Sequence, residues 1–197
     1  MAKHNIVVIL GTNRPIRNGR KVADWFMTEA AKDSRFHFKL VDLSELALPW
    51  LDEPVPPKVS TSYQHEYTRS WAKQIAGADG YVVITPEYNH SYPAVLKNAL
   101  DYLYYEWGQK PMSFVGYGVE YGYRAIEHLR QVAVKLRMVP LSHQIEIPIF
   151  KQQTPSGEFV ASGDNMHQLQ TLLDQLDWWA AALSEARSKQ PYAIKPL

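Results

Sequence analysis

Three short segments of this chain hold residue types suited to a ligand that is anionic at one end and planar at the other. The first is Gly11-Thr-Asn-Arg-Pro-Ile-Arg-Asn-Gly-Arg20, followed by Lys21. It leaves a short apolar run and opens a helical pattern near Gly19. Thr12 offers a hydroxyl, and Arg14, Arg17 and Arg20 offer forked cationic donors that match phosphate oxygens. The start of a helix adds backbone N–H groups without partners and the positive end of its dipole. The segment therefore predicts an anion site. The plainer alternative is an ordinary loop capped by Asn18 with solvated arginines. The spacing Gly-x-x-x-x-Gly-Lys-Ser/Thr is absent, which argues against hydrolysis of ATP or GTP.

The second segment is Thr85-Pro-Glu-Tyr-Asn-His-Ser-Tyr-Pro93. Two prolines stiffen it, Tyr88 offers an aromatic face, and Asn89 offers both donors and acceptors. A planar heterocycle needs such a wall with polar groups at its edge. By itself the segment reads equally as a surface turn in which Asn89 bonds its own backbone. The third is Gly116-Tyr-Gly-Val-Glu-Tyr-Gly122, whose glycines let backbone approach a ligand closely. It misses Gly-x-Gly-x-x-Gly by one residue, and that fingerprint is weak even when complete. Room for the edge of a flat ring is one use of these glycines; a flexible turn with a helix cap is the other.

The elements that would position these segments follow from hydrophobic periodicity. Asn5–Leu10 is nearly all apolar, as a central parallel strand covered on both faces requires. Strands are also expected at 36–43, 81–85, 112–117 and 139–149, the last restricted at its ends by Pro140 and Pro148. Helices are expected at 21–32, 62–76, 92–107, 120–136 and 165–187, and the prolines of 48–57 mark a loop. Strict alternation of strand and helix implies an α/β fold with parallel strands and right-handed crossovers, five strands suiting the order 2-1-3-4-5. Ligands in such sheets bind beyond the carboxyl ends of the strands, at the switch point. All three segments leave strands at that end.

The 197 residues suit one domain, expected over 1–187, with a loose tail from 188 to 197. Cysteine is absent, which excludes disulfides, thiolate catalysis and Cys-based metal sites. The seven histidines are scattered without paired metal spacing. Ser91 lacks a Gly-x-Ser-x-Gly context, so a hydrolase nucleophile is not expected. A formal net charge of +1 gives no electrostatic argument for nucleic acid or a membrane surface. No apolar run is long enough to span a bilayer, and the apolar run at the start is too short for a signal peptide. A cytoplasmic protein is expected. Tyr102, Leu103, Tyr104, Tyr105 and Trp107 would place aromatics on several faces of the third helix. One face cannot bury them all, so the surplus is expected to form a homodimer interface.

Taken together, Gly11-Thr-Asn-Arg-Pro-Ile-Arg17, Pro86-Glu-Tyr-Asn-His-Ser-Tyr-Pro-Ala-Val-Leu-Lys-Asn-Ala-Leu-Asp101 and Gly118 through Gly122-Tyr-Arg-Ala125 resemble the NADPH-dependent FMN reductase family. The resemblance covers the first strand to about Pro140, and its middle segment is the most specific. It implies a flavodoxin-like three-layer sandwich, flavin mononucleotide (FMN) as cofactor, and NADPH or NADH as electron donor. It also implies a small acceptor such as a quinone, an azo compound, a metal oxyanion or free flavin, and a homodimer or dimer of dimers. By the same resemblance, Thr12, Arg14, Arg17, Gly19 and Arg20, with backbone at Lys21, would cradle the flavin phosphate. Pro86, Glu87, Tyr88 and Asn89 would line the ribityl and ring, with backbone near His90 approaching the reactive ring nitrogen. Gly118, with the backbone leading to Gly122, would bond the pyrimidine edge. The family commonly has serine where Gly116 stands, a small residue where Tyr121 stands, and glycine in place of Ile16. The flavin would carry the chemistry, so no catalytic side chain is assigned. A flavodoxin-like carrier reduced by a partner protein, and a phosphate-ligand-binding module without turnover, are the rival readings.

Overall fold

The computed structural model describes residues 3–190. Eleven principal elements alternate along the chain: β1 (His4–Leu10), α1 (Asn18–Ala30), β2 (Phe36–Asp42), α2 (Leu43–Leu46), α3 (Glu66–Ala76), β3 (Gly80–Pro86), α4 (Ala94–Asp101), β4 (Pro111–Tyr117), α5 (Tyr123–Lys135), β5 (Val139–Ile147) and α6 (Gly163–Lys189). The strands form one parallel sheet of order β2-β1-β3-β4-β5, as expected.

Alternation along each strand divides the core into two layers. Val7 and Ile9 of β1 join Val83 and Phe114 under α3, α4 and α5, where Trp71, Leu96 and Leu129 pack. Ile6, Val8 and Leu10 join Val82, Ile84 and Val115 under α1 and α6, where Phe26, Leu172 and Leu176 pack. The sheet is thus covered on both faces, and β3 and β4 are buried along their whole length. This is the flavodoxin-like three-layer sandwich.

Several bounds differ from expectation for local reasons. Pro148 ends β5, and a 3-10 turn at Ile149–Lys151 replaces the expected end of the strand. α6 starts two residues early because Ser162 and Asn165 form a reciprocal capping box. It runs to Lys189, taking in the first residues of the expected tail; residues 191–197 lie outside the described residues.

The third long helix is the main correction. α4 has eight residues, and the expected stretch beyond Asp101 is a series of turns. The Trp107 indole donates to the Leu100 carbonyl at 3.2 Å, and Trp107 packs edge-on to Trp71 and Tyr81. Tyr102, Leu103 and Trp107 are all buried, and the Tyr105 hydroxyl donates to the Lys58 carbonyl at 2.7 Å. By leaving the helix the chain buries Tyr102, Leu103 and Trp107 in its own core and keeps Tyr104 and Tyr105 half-buried, so most of the expected surplus is taken up within the domain.

Lys110 is buried just before β4, and its ammonium donates to the carbonyls of Ile75, Ala76 and Glu106 at 2.9, 2.9 and 3.0 Å. It caps the end of α3 at the cost of burying a charge. Burial pulls its pKa down to about 8, against about 10.4 for a free lysine. Between those values the unfolded chain binds more protons than the folded one, so stability rises with pH. A gain on the order of 1 kcal/mol from pH 8 to 10 is expected, and Lys110→Met should flatten it. Denaturant unfolding of both proteins at the two pH values checks this. Above that window burial keeps Tyr81 protonated in the fold, which works in the opposite direction.

Candidate active site

The site lies at the carboxyl ends of β1, β3, β4 and β5. β1 is followed by the first segment and then α1, whose N-cap is Arg17 with no side-chain cap bond and no acidic residue in the first turn. The N-cap side chain therefore takes up none of its opening N–H groups, and among them the Gly19 N–H is bound by the Tyr117 hydroxyl. Thr12 is fully buried, and its hydroxyl meets the Tyr88 hydroxyl at 3.0 Å. That bond ties the first segment to the second. The Arg14 guanidinium carbon lies 6.0 Å from the centre of the Tyr88 ring.

The three arginines have different roles. Arg17 pairs with Asp42 at the end of β2, with side chains 12% and 1% exposed, and its Nη1 donates to the Arg14 carbonyl at 3.2 Å. Its Nε is buried without a partner. Arg20 instead faces Asp24 at 2.8 Å and Glu45 at 3.5 Å, and Lys21 donates to the Gly157 carbonyl.

The second segment makes a tight reversal. Tyr88 and Ser91 exchange two backbone bonds of 2.8 and 3.0 Å around Asn89 (φ 49) and His90 (φ 70). Two central residues at positive φ match a type I′ turn, whose own bonds leave the N–H groups of Asn89 and His90 unused. Non-glycine residues held there store strain, as functional loops often do. Glu87 anchors the reversal to α5 by accepting from the backbone N–H of Arg124 at 3.0 Å and from its guanidinium at 2.6 Å. Ser91 and His128 add a second tie at 3.0 Å.

In the third segment Gly118 has φ 147 and donates its N–H to the Ile147 carbonyl at 3.1 Å. Tyr117 reaches back across the sheet: its hydroxyl takes a bond from the Gly19 backbone, and burial pushes its pKa well above the ordinary phenol value. A Cβ on Gly19 would lie 2.3 Å from that hydroxyl, so glycine is required there.

These segments enclose a cavity of about 570 Å³. Of the expected site residues, Arg14, Arg17, Pro86, Glu87, Tyr88, Asn89, His90 and Gly118 line it. Thr12, Gly19, Arg20, Lys21 and Gly122 lie outside the lining, behind or beside it. Ile149 and Phe150 also line the cavity and were missed. They belong to a fourth strand-end segment, after β5, where they form an apolar dipeptide that carries no polar signal and reads as a continuation of the strand.

Residues 4–152 match the NADPH-dependent FMN reductase family. The chain belongs to that family. It is 40% identical over 146 residues to an NAD(P)H-dependent FMN reductase of Schizosaccharomyces pombe, covering 73% of each chain. It is 33% identical over 186 residues to a 2-hydroxy-1,4-benzoquinone reductase of a Burkholderia species, covering 88% of this chain and 94% of the relative. Its fold is shared with the flavoenzyme NAD(P)H:(acceptor) oxidoreductase FerB of Paracoccus denitrificans, at a TM-score of 0.72 and 23% identity over 91% of this chain and 98% of that one.

Family membership makes this chain an FMN-dependent NAD(P)H oxidoreductase, and the cavity residues fit the cofactor. A phosphate oxygen would satisfy the buried Arg17 Nε, beside a helix start whose N-cap residue makes no side-chain cap bond. Tyr88, Pro86 and Gly118 supply a wall and open backbone for a ring. Among the described residues no group of His, Cys, Asp or Glu side chains could hold a metal ion, and no helix is long and apolar enough to cross a membrane.

Proposed function

We propose that the cavity holds FMN with its phosphate at Arg14, Arg17 and the start of α1, and its ring between Tyr88 and Gly118. The orphaned Arg17 Nε carries this placement: a buried guanidinium N–H without a protein acceptor calls for one, and a phosphate oxygen is a strong acceptor for it. When bound, FMN supplies hydride uptake from NAD(P)H and electron release to a small acceptor. The protein's part is to hold, orient and tune. Asp42 fixes the Arg17 fork, Thr12 fixes the Tyr88 phenol, and the Glu87–Arg124 pair fixes the turn that presents the Asn89 and His90 N–H groups. Thr12, Gly19, Arg20, Lys21 and Gly122 act by shaping the surrounding backbone. No side chain is assigned as acid or base; His90 is placed for neither role by any hydrogen bond. The donor is NADPH or NADH, and the acceptor is of the quinone class, the activity for which the Burkholderia relative is named.

The experiment is a visible spectrum after adding FMN, removing the excess and adding NADPH without oxygen. Retained absorbance that bleaches is the expected result. Retained flavin that does not bleach would favour an electron carrier reduced by a protein. Failure to retain flavin would favour a phosphate-ligand module and sink the assignment.

The same reading takes residues 1–187 as one domain of a cytoplasmic homodimer. The dimer rests mainly on resemblance, since Tyr102, Leu103 and Trp107 are taken into the core and Tyr104 packs half-buried against it. Sedimentation at micromolar concentration tests it, and a monomer would remove it.

A further inference from the structure

Most exposed apolar side chains on a protein surface need no explanation. Ile16, Val119 and Phe150 do. They are 93%, 73% and 64% exposed, they come from three different strand-end segments, and all three line the one cavity just described. Each would be better hidden if the segments served only to hold a phosphate and a ring.

Phe150 is held in place by the fold. Pro148 ends β5 and the 3-10 turn buries Ile149 to 1% exposure, which turns the next side chain outward over the cavity. The segment that follows is fastened to α1 at three points. The Lys21 ammonium donates to the Gly157 carbonyl, Gln153 donates to Asn18 at 3.1 Å, and Phe159 packs edge-on to Trp25 with ring centres 5.5 Å apart. A bridge between Gln153 and Phe159 closes the segment on itself. Phe150 therefore stands on a braced wall of the cavity that the Tyr88 turn also lines. Lys21, expected among the phosphate residues, has its side chain engaged in this brace.

With the FMN phosphate at Arg14 and Arg17, the other arginine of the lining is Arg124, and it is paired with Glu87 at 2.6 Å. What remains at the mouth is apolar area from three sides.

We infer that Ile16, Val119 and Phe150 form an apolar rim that selects the electron acceptor by its flat apolar area, favouring a fused-ring quinone over a single-ring quinone or a metal oxyanion. This rests on the FMN placement proposed above and adds to it the residues that set acceptor preference. The reaction balances as one quinone plus one NAD(P)H plus one proton giving one hydroquinone plus NAD(P)+. The hydride brings both electrons and one proton, water supplies the second proton, and both quinone carbonyl oxygens become hydroxyls.

The test uses the FMN-loaded full chain with 1,4-naphthoquinone, 1,4-benzoquinone and chromate as acceptors. Phe150→Ser should raise KM for naphthoquinone about tenfold and shrink its advantage over benzoquinone by a similar factor, the usual scale for a lost apolar contact. Ile16→Ser and Val119→Ser should each give a smaller change in the same direction. Equilibrium binding of 1-naphthol, which needs no turnover, should weaken in the same order. Phe150→Leu, which keeps the site apolar, should fall between wild type and Phe150→Ser and covers the case in which the serine variant folds poorly. An unchanged naphthoquinone-to-benzoquinone ratio in proteins that bind FMN and bleach with NADPH would overturn the rim while leaving the FMN placement intact. A change in sedimentation without a change in that ratio would also overturn it, by making the rim a contact between copies. Failure to retain FMN at all would overturn the placement and the rim with it.

Discussion

Arg17→Met should lower stability by about 3 kcal/mol and raise the FMN dissociation constant by about 10- to 100-fold. The two effects have separate origins and can be separated. Removing the guanidinium leaves the Asp42 carboxylate, 1% exposed, with the Ser44 N–H at 2.9 Å and a distant Arg20 at 3.8 Å. A buried carboxylate that loses its main counter-charge accounts for the stability term. The binding term comes from the fork itself, which combines a charge with an unpaired Nε in a residue that lines the cavity. In Arg17→Met/Asp42→Asn the buried charge is gone as well. That double variant should regain most of the stability while binding FMN no better than Arg17→Met alone. Denaturant unfolding reads the first quantity and flavin-fluorescence titration the second. A double variant that recovers both would reduce Arg17 to a scaffold residue and move the phosphate elsewhere.

Arg17 also marks where the sequence stops being readable. Three arginines in one strand-to-helix segment announce an anion site, because cation density and a helix start are local features. Which of the arginines face the site depends on Asp42, at the end of a different strand, and on Asp24 and Glu45, which pair with Arg20. No local pattern contains those pairings. The strand order was legible because the apolar blocks of β1, β3 and β4 are continuous and so must be covered on both faces. The end of α4 was not, because Trp107 stops the helix by packing on Trp71 and Tyr81, from elements far away in sequence. The wall formed by Ile149 and Phe150 was invisible for a third reason. An apolar dipeptide soon after Ile145 and Ile147 reads as more strand, although the pairing of β5 stops before Pro148.

Gly116→Ser should be the most damaging single change in the third segment, although serine is what the resemblance leads one to expect at that position. A Cβ on Gly116 would lie 2.3 Å from the Tyr121 carbonyl oxygen and 2.9 Å from the Ile126 side chain. The first of these is backbone and has nowhere flexible to go. Tyr121 (φ 58) and Gly122 (φ 82) are consecutive left-handed residues, and together they fold that carbonyl onto Gly116. Here a bulky residue at 121 and a bare glycine at 116 accompany one backbone path. A loss of about 3 kcal/mol is expected, on the scale of overpacking a closed core. FMN affinity should fall with it, because the displaced turn carries Gly118 at one end and the Glu87-bound Arg124 at the other. Tyr121→Gly alone should be nearly neutral: it removes a strained non-glycine residue but loosens the unfolded chain. Placed in the Gly116→Ser background, the same change lets the carbonyl move aside and should recover a measurable part of both losses. Unfolding curves and flavin titrations of the two single variants and the double variant form a closed cycle. Strictly additive effects in that cycle would show that residues 116 and 121 tolerate each other independently. The path of the third segment would then have to be set by the Glu87–Arg124 tie instead.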